Sequence, residues 1–151
     1  MIDRAARTAL SGNLRHLAAG LITNDEYEDR LPVPSADLAV WEIHLNGAWY
    51  LYDDLHRHKL VGRYKIAPET KTEIARWILF LRTDLEYEWP RLRGLSWLAL
   101  FLANLITAGL VGIVVRRRMR RAGDPAVWPF LRQSDYEAAL AAPATQLPGS
   151  Q

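Results

Sequence analysis

Asp53, Asp54, His56 and His58 stand within the run DDLHRH, the densest set of potential metal ligands in the chain. Carboxylates and imidazoles ligate divalent ions when three or four of them converge. On a helix, His56 and His58 diverge by about 200° and cannot share an ion without a break. Asp54 and His58, four apart, face the same way, but one pair is not a site. The simpler expectation is two solvated i,i+4 pairs, Asp53–Arg57 and Asp54–His58. A second acidic run, Asp84, Glu86 and Glu88 in DLEYE, has the spacing of groups that exchange protons or bind a divalent cation. It reads more simply as a solvated flank that repels acidic lipid. His16 lies in a leucine-rich stretch and His44 in an aromatic one, and both are expected at the edge of a core. No glycine-rich phosphate loop, serine elbow or HExxH motif is present. The chain has no cysteine, which excludes disulfides, thiolate nucleophiles and cysteine metal sites. These observations imply no catalytic residue, no metal site and no cofactor.

The elements that position these residues divide unequally by charge. Residues 1–90 hold 11 Lys/Arg and 14 Asp/Glu, a net of −3, whereas residues 91–151 hold 8 and 3, a net of +5. An acidic front and a basic rear point to two environments for one chain. Residues 95–115, LSWLALFLANLITAGLVGIVV, carry no charge. A helix of that length spans roughly 30 Å, the thickness of a bilayer core. Twelve of its residues are Leu, Ile, Val or Phe, which sums to an insertion term on the order of −5 kcal/mol. Trp89 and Trp97 lie where an interfacial aromatic belt would sit. The block is read as one transmembrane helix, joined to the front domain by a linker at 91–94.

Ser96, Ala99, Ala103 and Thr107 form a stripe of small residues along that helix and make a candidate helix–helix contact. Arg116, Arg117, Arg118, Arg120 and Arg121 follow at once as a collar for lipid headgroups, attracted by around 1 kcal/mol per basic residue. No aromatic or glycine pattern accompanies them, so a nucleic-acid patch is not expected. The positive-inside rule assigns the tail, with six arginines counting Arg132, to the cytoplasm. The front domain, with no cleavable export signal visible ahead of it, asks for the same side. A single pass cannot satisfy both, and the expectation leans slightly to a cytoplasmic tail.

The front domain, residues 1–90, reads as short helices. Leu10, Leu14, Leu17 and Leu21 recur on one helical face, and Gly20 falls where that helix would stop. Thr23 and Glu26 have capping-box spacing, with Ile22 and Tyr27 at the positions of a hydrophobic staple. Across residues 38–55, Leu38, Trp41, Leu45, Trp49, Tyr52 and Leu55 keep helical spacing. Asn46-Gly47 amid alternating residues is also a hairpin signal, but a helix, with or without a break at Gly47, is preferred because the 3.6 period persists through the stretch. Residues 60–66 are expected as a loop or short extended piece. Pro68 opens a helix with Glu69 and Glu73 near its positive end, and Ile74, Trp77, Ile78, Leu81 and Leu85 form its buried stripe. TDLE (83–86) is expected to cap a last turn, and SDYE (134–137) to open a helix running through Ala142. Residues 143–151 read as a frayed end.

The stretch 14–31, LRHLAAGLITNDEYEDRL, resembles the SHOCT module, a short bacterial helical element of pattern L-x-x-L-x-x-G-x-I-T-x-x-E-F-E. Leu14, Leu17, Gly20, Ile22, Thr23, Glu26, Tyr27 and Glu28 match, with Tyr in place of Phe. The match covers under a fifth of the chain and lies near its N-terminus, whereas SHOCT modules normally come last. The resemblance implies a helix–turn–helix that mediates interaction or oligomerisation, often in proteins with a membrane or lipid-linked part.

The expectation is an all-α protein: a small helical domain, one transmembrane helix and a short basic tail in a bacterial cytoplasmic membrane. Its partners would be the bilayer and either a second copy or another protein, with no nucleic acid and no identifiable small-molecule substrate. Two other classes fit less well: a soluble helical oligomer burying 95–115 as a core helix, and a metal-dependent regulator or enzyme centred on DDLHRH.

Overall fold

Asp3 accepts a hydrogen bond from the Ala6 amide at 3.0 Å and so caps α1, which runs Arg4–Ala18 in a computed structural model of the protein. The structure describes residues 1–89 and 123–142. Among these residues four further α-helices follow: α2 (Asn24–Asp29), α3 (Leu38–Asn46), α4 (Pro68–Leu81) and α5 (Gln133–Ala141). Short 3₁₀ turns lie at Ala48–Leu51, Gly62–Tyr64 and Pro125–Val127. No strand occurs among the described residues, where the only bridge pairs Thr23 with Lys59. The all-α expectation holds at that level.

Leu10, Leu14 and Leu17 are fully buried, as their spacing requires. The stripe ends there, and Leu21 is 62 % exposed. After Ala18 the chain closes in a Schellman motif: the Gly20 amide donates to Leu17 O and the Leu21 amide to His16 O, each at 2.9 Å. Gly20 supplies the left-handed turn, with φ +68°. Leu21 therefore belongs to the turn and faces outward. The capping box forms on both sides: the Glu26 amide donates to Thr23 Oγ1 at 3.2 Å, and the Thr23 amide to Glu26 Oε2 at 2.8 Å. Ile22 and Tyr27 are both buried, as a staple requires.

α1 packs most extensively on α4, and the two supply the core with Leu10, Leu14, Leu17, Ile74, Trp77, Ile78 and Leu81. Pro68 stands at the first position of α4, where its missing amide costs nothing. Leu85 lies past the end of α4 and is 39 % exposed. TDLE adds no helical turn; the Thr83 hydroxyl donates instead to Phe80 O at 2.7 Å. In the tail, α5 opens at Gln133 with Arg132 as an N-cap lacking a side-chain bond. Ser134 is already inside the helix and cannot form the SDYE capping box.

The 38–55 segment is helical only to Asn46. It turns at Gly47, continues as the 3₁₀ turn Ala48–Leu51, and then leaves helical structure, so neither a hairpin nor a helix through Leu55 forms. A methyl group on Gly47 would lie 2.8 Å from Ile43 O and 3.1 Å from the Trp77 ring. The bare backbone there admits Trp77 into the core.

The span expected at 95–115, its stripe Ser96, Ala99, Ala103 and Thr107, and the linker at 91–94 lie outside the described residues. So do the collar Arg116, Arg117, Arg118, Arg120 and Arg121, and the stretch 143–151. Among the described residues, no helix is long and apolar enough to cross a membrane.

Candidate interaction face and the side chains that set it

DDLHRH is a loop, not a helix, so the expected i,i+4 pairs do not form. Asn24, buried at the start of α2, holds it from one side. Its Nδ2 donates to Asp53 O at 3.0 Å and His56 O at 3.1 Å, its Oδ1 accepts from the His58 amide at 2.9 Å, and its amide donates to His58 O at 3.0 Å. Asp53 Oδ1 accepts from the Leu55 amide at 2.8 Å, and Asp53 Oδ2 pairs with His56 Nδ1 at 3.0 Å. The Leu55 amide and the His56 ring hold the Asp53 carboxyl below its ordinary value. His58 donates from Nδ1 to His56 O at 2.7 Å and stacks on Tyr64 at 4.0 Å. Arg57 reaches Glu26 at 3.7 Å rather than Asp53. Among the described residues, no group of three or more His, Asp or Glu is arranged to hold a metal ion. Asn24 thus closes the loop onto α2, while His58 Nε2 lies buried with no hydrogen-bond partner among the described residues.

Two of the three DLEYE acids are likewise occupied. Asp84 pairs with Arg4, and Glu86 with the terminal ammonium of Met1 at 3.1 Å. Next to Glu86, Tyr87 is buried. These exposed pairs add little stability each, but they seat the 84–88 strip along the start of α1 rather than leaving it free. The adjoining crevice, lined by Met1, Arg7, Asp37, Leu38, Glu86 and Tyr87, has a volume of about 30 Å³, too small for an organic ligand.

Arg7 and Asp37 form a buried pair, their side chains 1 % and 3 % exposed, with Nε to Oδ2 at 2.5 Å and Nη2 to Oδ1 at 3.2 Å. Arg7 Nη1 also donates to Thr83 O at 3.0 Å, and its guanidinium lies 5.5 Å over the Phe80 ring. Asp37 accepts from the amides of Asp3 at 3.0 Å and Ala39 at 2.9 Å. Burial alone would raise the Asp37 carboxyl; the Arg7 hydrogen bond and these amides outweigh it and hold the group below its ordinary value. Asp37 is at once the N-cap of α3 and an acceptor for α1. One carboxylate therefore fixes where α3 starts and how it is rotated.

That rotation turns Ala39, Val40, Ile43 and His44 inward and the longer apolar stripe outward. Leu38 is 45 % exposed, Trp41 38 %, Leu45 47 % and Trp49 42 %. Tyr50 and Leu55, farther along the chain, are more exposed still. α3 is apolar on both faces, so its 3.6 spacing identifies the helix but not the side that meets the core. Beneath it, His44 packs at 6.0 Å from Tyr27 and 5.8 Å from Trp49. Burial lowers the His44 imidazole, against a weaker raising pull from Glu28, and pushes the Tyr27 phenol up. Tyr52 is pushed up by burial and then by the Glu28 carboxylate. His44 is buried in the core rather than at its edge. His16, on α1, is exposed.

The outward face of α3 was within reach of the sequence as a helical stripe, but its exposure was not. The Arg7–Asp37 pair was missed. Its signal was present: Arg7 continues the Leu10–Leu14–Leu17 stripe by one step of three, and Asp37 directly precedes an apolar helix start. Comparison with protein-family models, curated proteins and solved structures finds no match to this chain.

Proposed function

We propose that the chain is a non-enzymatic, membrane-associated protein of the bacterial cytoplasmic membrane, acting through protein–protein contact of its helical unit, first with a second copy of itself. The observation that carries this reading is the outward apolar face of α3 and the turn after it, where Leu38, Trp41, Leu45 and Trp49 stand exposed on a rigidly anchored helix. Exposed apolar residues gathered on one element mark contact sites, and tryptophan is enriched where binding energy concentrates. Two sequence features agree: the SHOCT-like stretch at 14–31, which implies self-association, and the Ser96, Ala99, Ala103 and Thr107 stripe, suited to pairing in a bilayer. The uncharged block 95–115 and its arginine collar supply the attachment.

Two measurements test it. An alkaline carbonate wash of membranes should leave the protein in the pellet; release into the supernatant would sink the membrane assignment. Sedimentation in mild detergent should show a concentration-dependent oligomer that Trp41→Glu and Leu45→Glu weaken at least tenfold while the helical circular dichroism is unchanged. A wild-type monomer at every concentration, with no bound protein partner, removes the interaction reading.

A further inference from the structure

Residues before and after the apolar block belong to one packed unit. Phe130 is fully buried, 5.1 Å from Phe80 on α4 and edge-on to it. Trp128 packs 5.8 Å from Trp77, and its Nε1 donates to Tyr87 Oη at 3.1 Å. Arg76 of α4 donates to Trp128 O at 2.8 Å and Ala126 O at 2.7 Å. At the junction itself, a methyl group on Gly123 would stand 3.0 Å from the Trp89 ring. Trp89 and Gly123, the described residues on either side of the block, thus stand against each other.

A single transmembrane helix over 95–115 conflicts with that contact. It would carry the chain roughly 30 Å across hydrocarbon. Residues 90–94 and 116–122, about 12 in all, reach about 40 Å fully extended. To restore the Trp89–Gly123 contact they would have to run back through the bilayer with unpaired backbone groups, which hydrocarbon does not tolerate, and draw seven arginines in with them. Separating 123–142 from α4 instead would expose the buried apolar surface of Phe80, Val127 and Phe130.

We infer that residues 1–89 and 123–142 occupy the same side of the membrane that residues 95–115 enter. This rests on the membrane reading above. It removes the conflict in the charge pattern: the arginine collar and the folded unit, which a single pass would separate, share the cytoplasmic side that the positive-inside rule assigns to the arginines.

The absence of cysteine gives a clean test on the full chain. Lys65→Cys and Ser134→Cys, both exposed, each introduce a sole thiol. In carbonate-resistant membranes, a membrane-impermeant maleimide should label both in inverted vesicles and neither in right-side-out vesicles until detergent is added. Labelling of the two positions in opposite vesicle orientations would overturn the shared side and leave the membrane reading standing. Release of the protein by carbonate would overturn the membrane reading, and the sidedness with it.

Discussion

At the scale of single residues, the Arg7–Asp37 pair carries the highest stakes in the described fold. Each charge is buried, so removing one partner strands the other; Arg7→Met or Asp37→Asn should each cost about 3–5 kcal/mol in urea unfolding. The double variant Arg7→Met/Asp37→Asn should cost less than the two single changes together, because no lone charge remains; full additivity would show that the pair is not coupled. Acid should act in two steps. His44 has a lowered folded pKa, so the unfolded chain binds the proton more readily, and stability falls as pH drops below about 6.5. Asp37 also has a lowered folded pKa, and its stabilisation is present above about pH 3.9 and lost as pH falls through the folded value. Thermal melts from pH 8 to 3 should show both losses, and His44→Gln should abolish the upper one alone.

The helix–turn–helix at 14–31 shows which elements are self-determined. The Schellman turn at Gly20 and the capping box at Thr23 use neighbours within a few residues, so spacing in the sequence sufficed to locate them. Thr23→Ala should cost about 1 kcal/mol and raise amide exchange at Glu26 ahead of the rest of α2; unchanged exchange there would show that tertiary packing holds the turn. The 38–55 stretch is the opposite case. Its outward and inward faces are equally apolar, and local spacing cannot choose between them. The choice comes from Asp37, tied to a residue 30 positions away. DDLHRH failed as a helix for a related reason: Asn24 satisfies its backbone from another element, and those bonds replace the helical ones.

For the molecule as a whole, the packing of 123–142 onto α4 decides the organisation. Phe80 was absent from the expected α4 stripe because its neighbours, Tyr87 and Phe130, come from beyond the helix. Phe130→Ala should lower stability by about 3–5 kcal/mol. Its effect should appear at α4 as well as in the tail, as faster hydrogen exchange at Ile78 and Phe80. Confinement of the loss to residues 123–142 would mean that the tail is a separate unit, and would withdraw the support for a shared side of the membrane.

Neighbours in the chain settle helical class, the stop of α1, the starts of α2 and α4, the capping box, the absence of thiol chemistry, and an uncharged block long enough for a bilayer. Tertiary structure alone decided which face of α3 meets solvent, which acids and histidines are already engaged, and that the chain on either side of the block is packed together. Local hydrogen bonds and periodicity are written in spacings of three and four residues. The rotation of a helix and the closure of a long segment are set by contacts between residues 30 to 52 positions apart, and no local pattern encodes which of the possible long-range pairs will form.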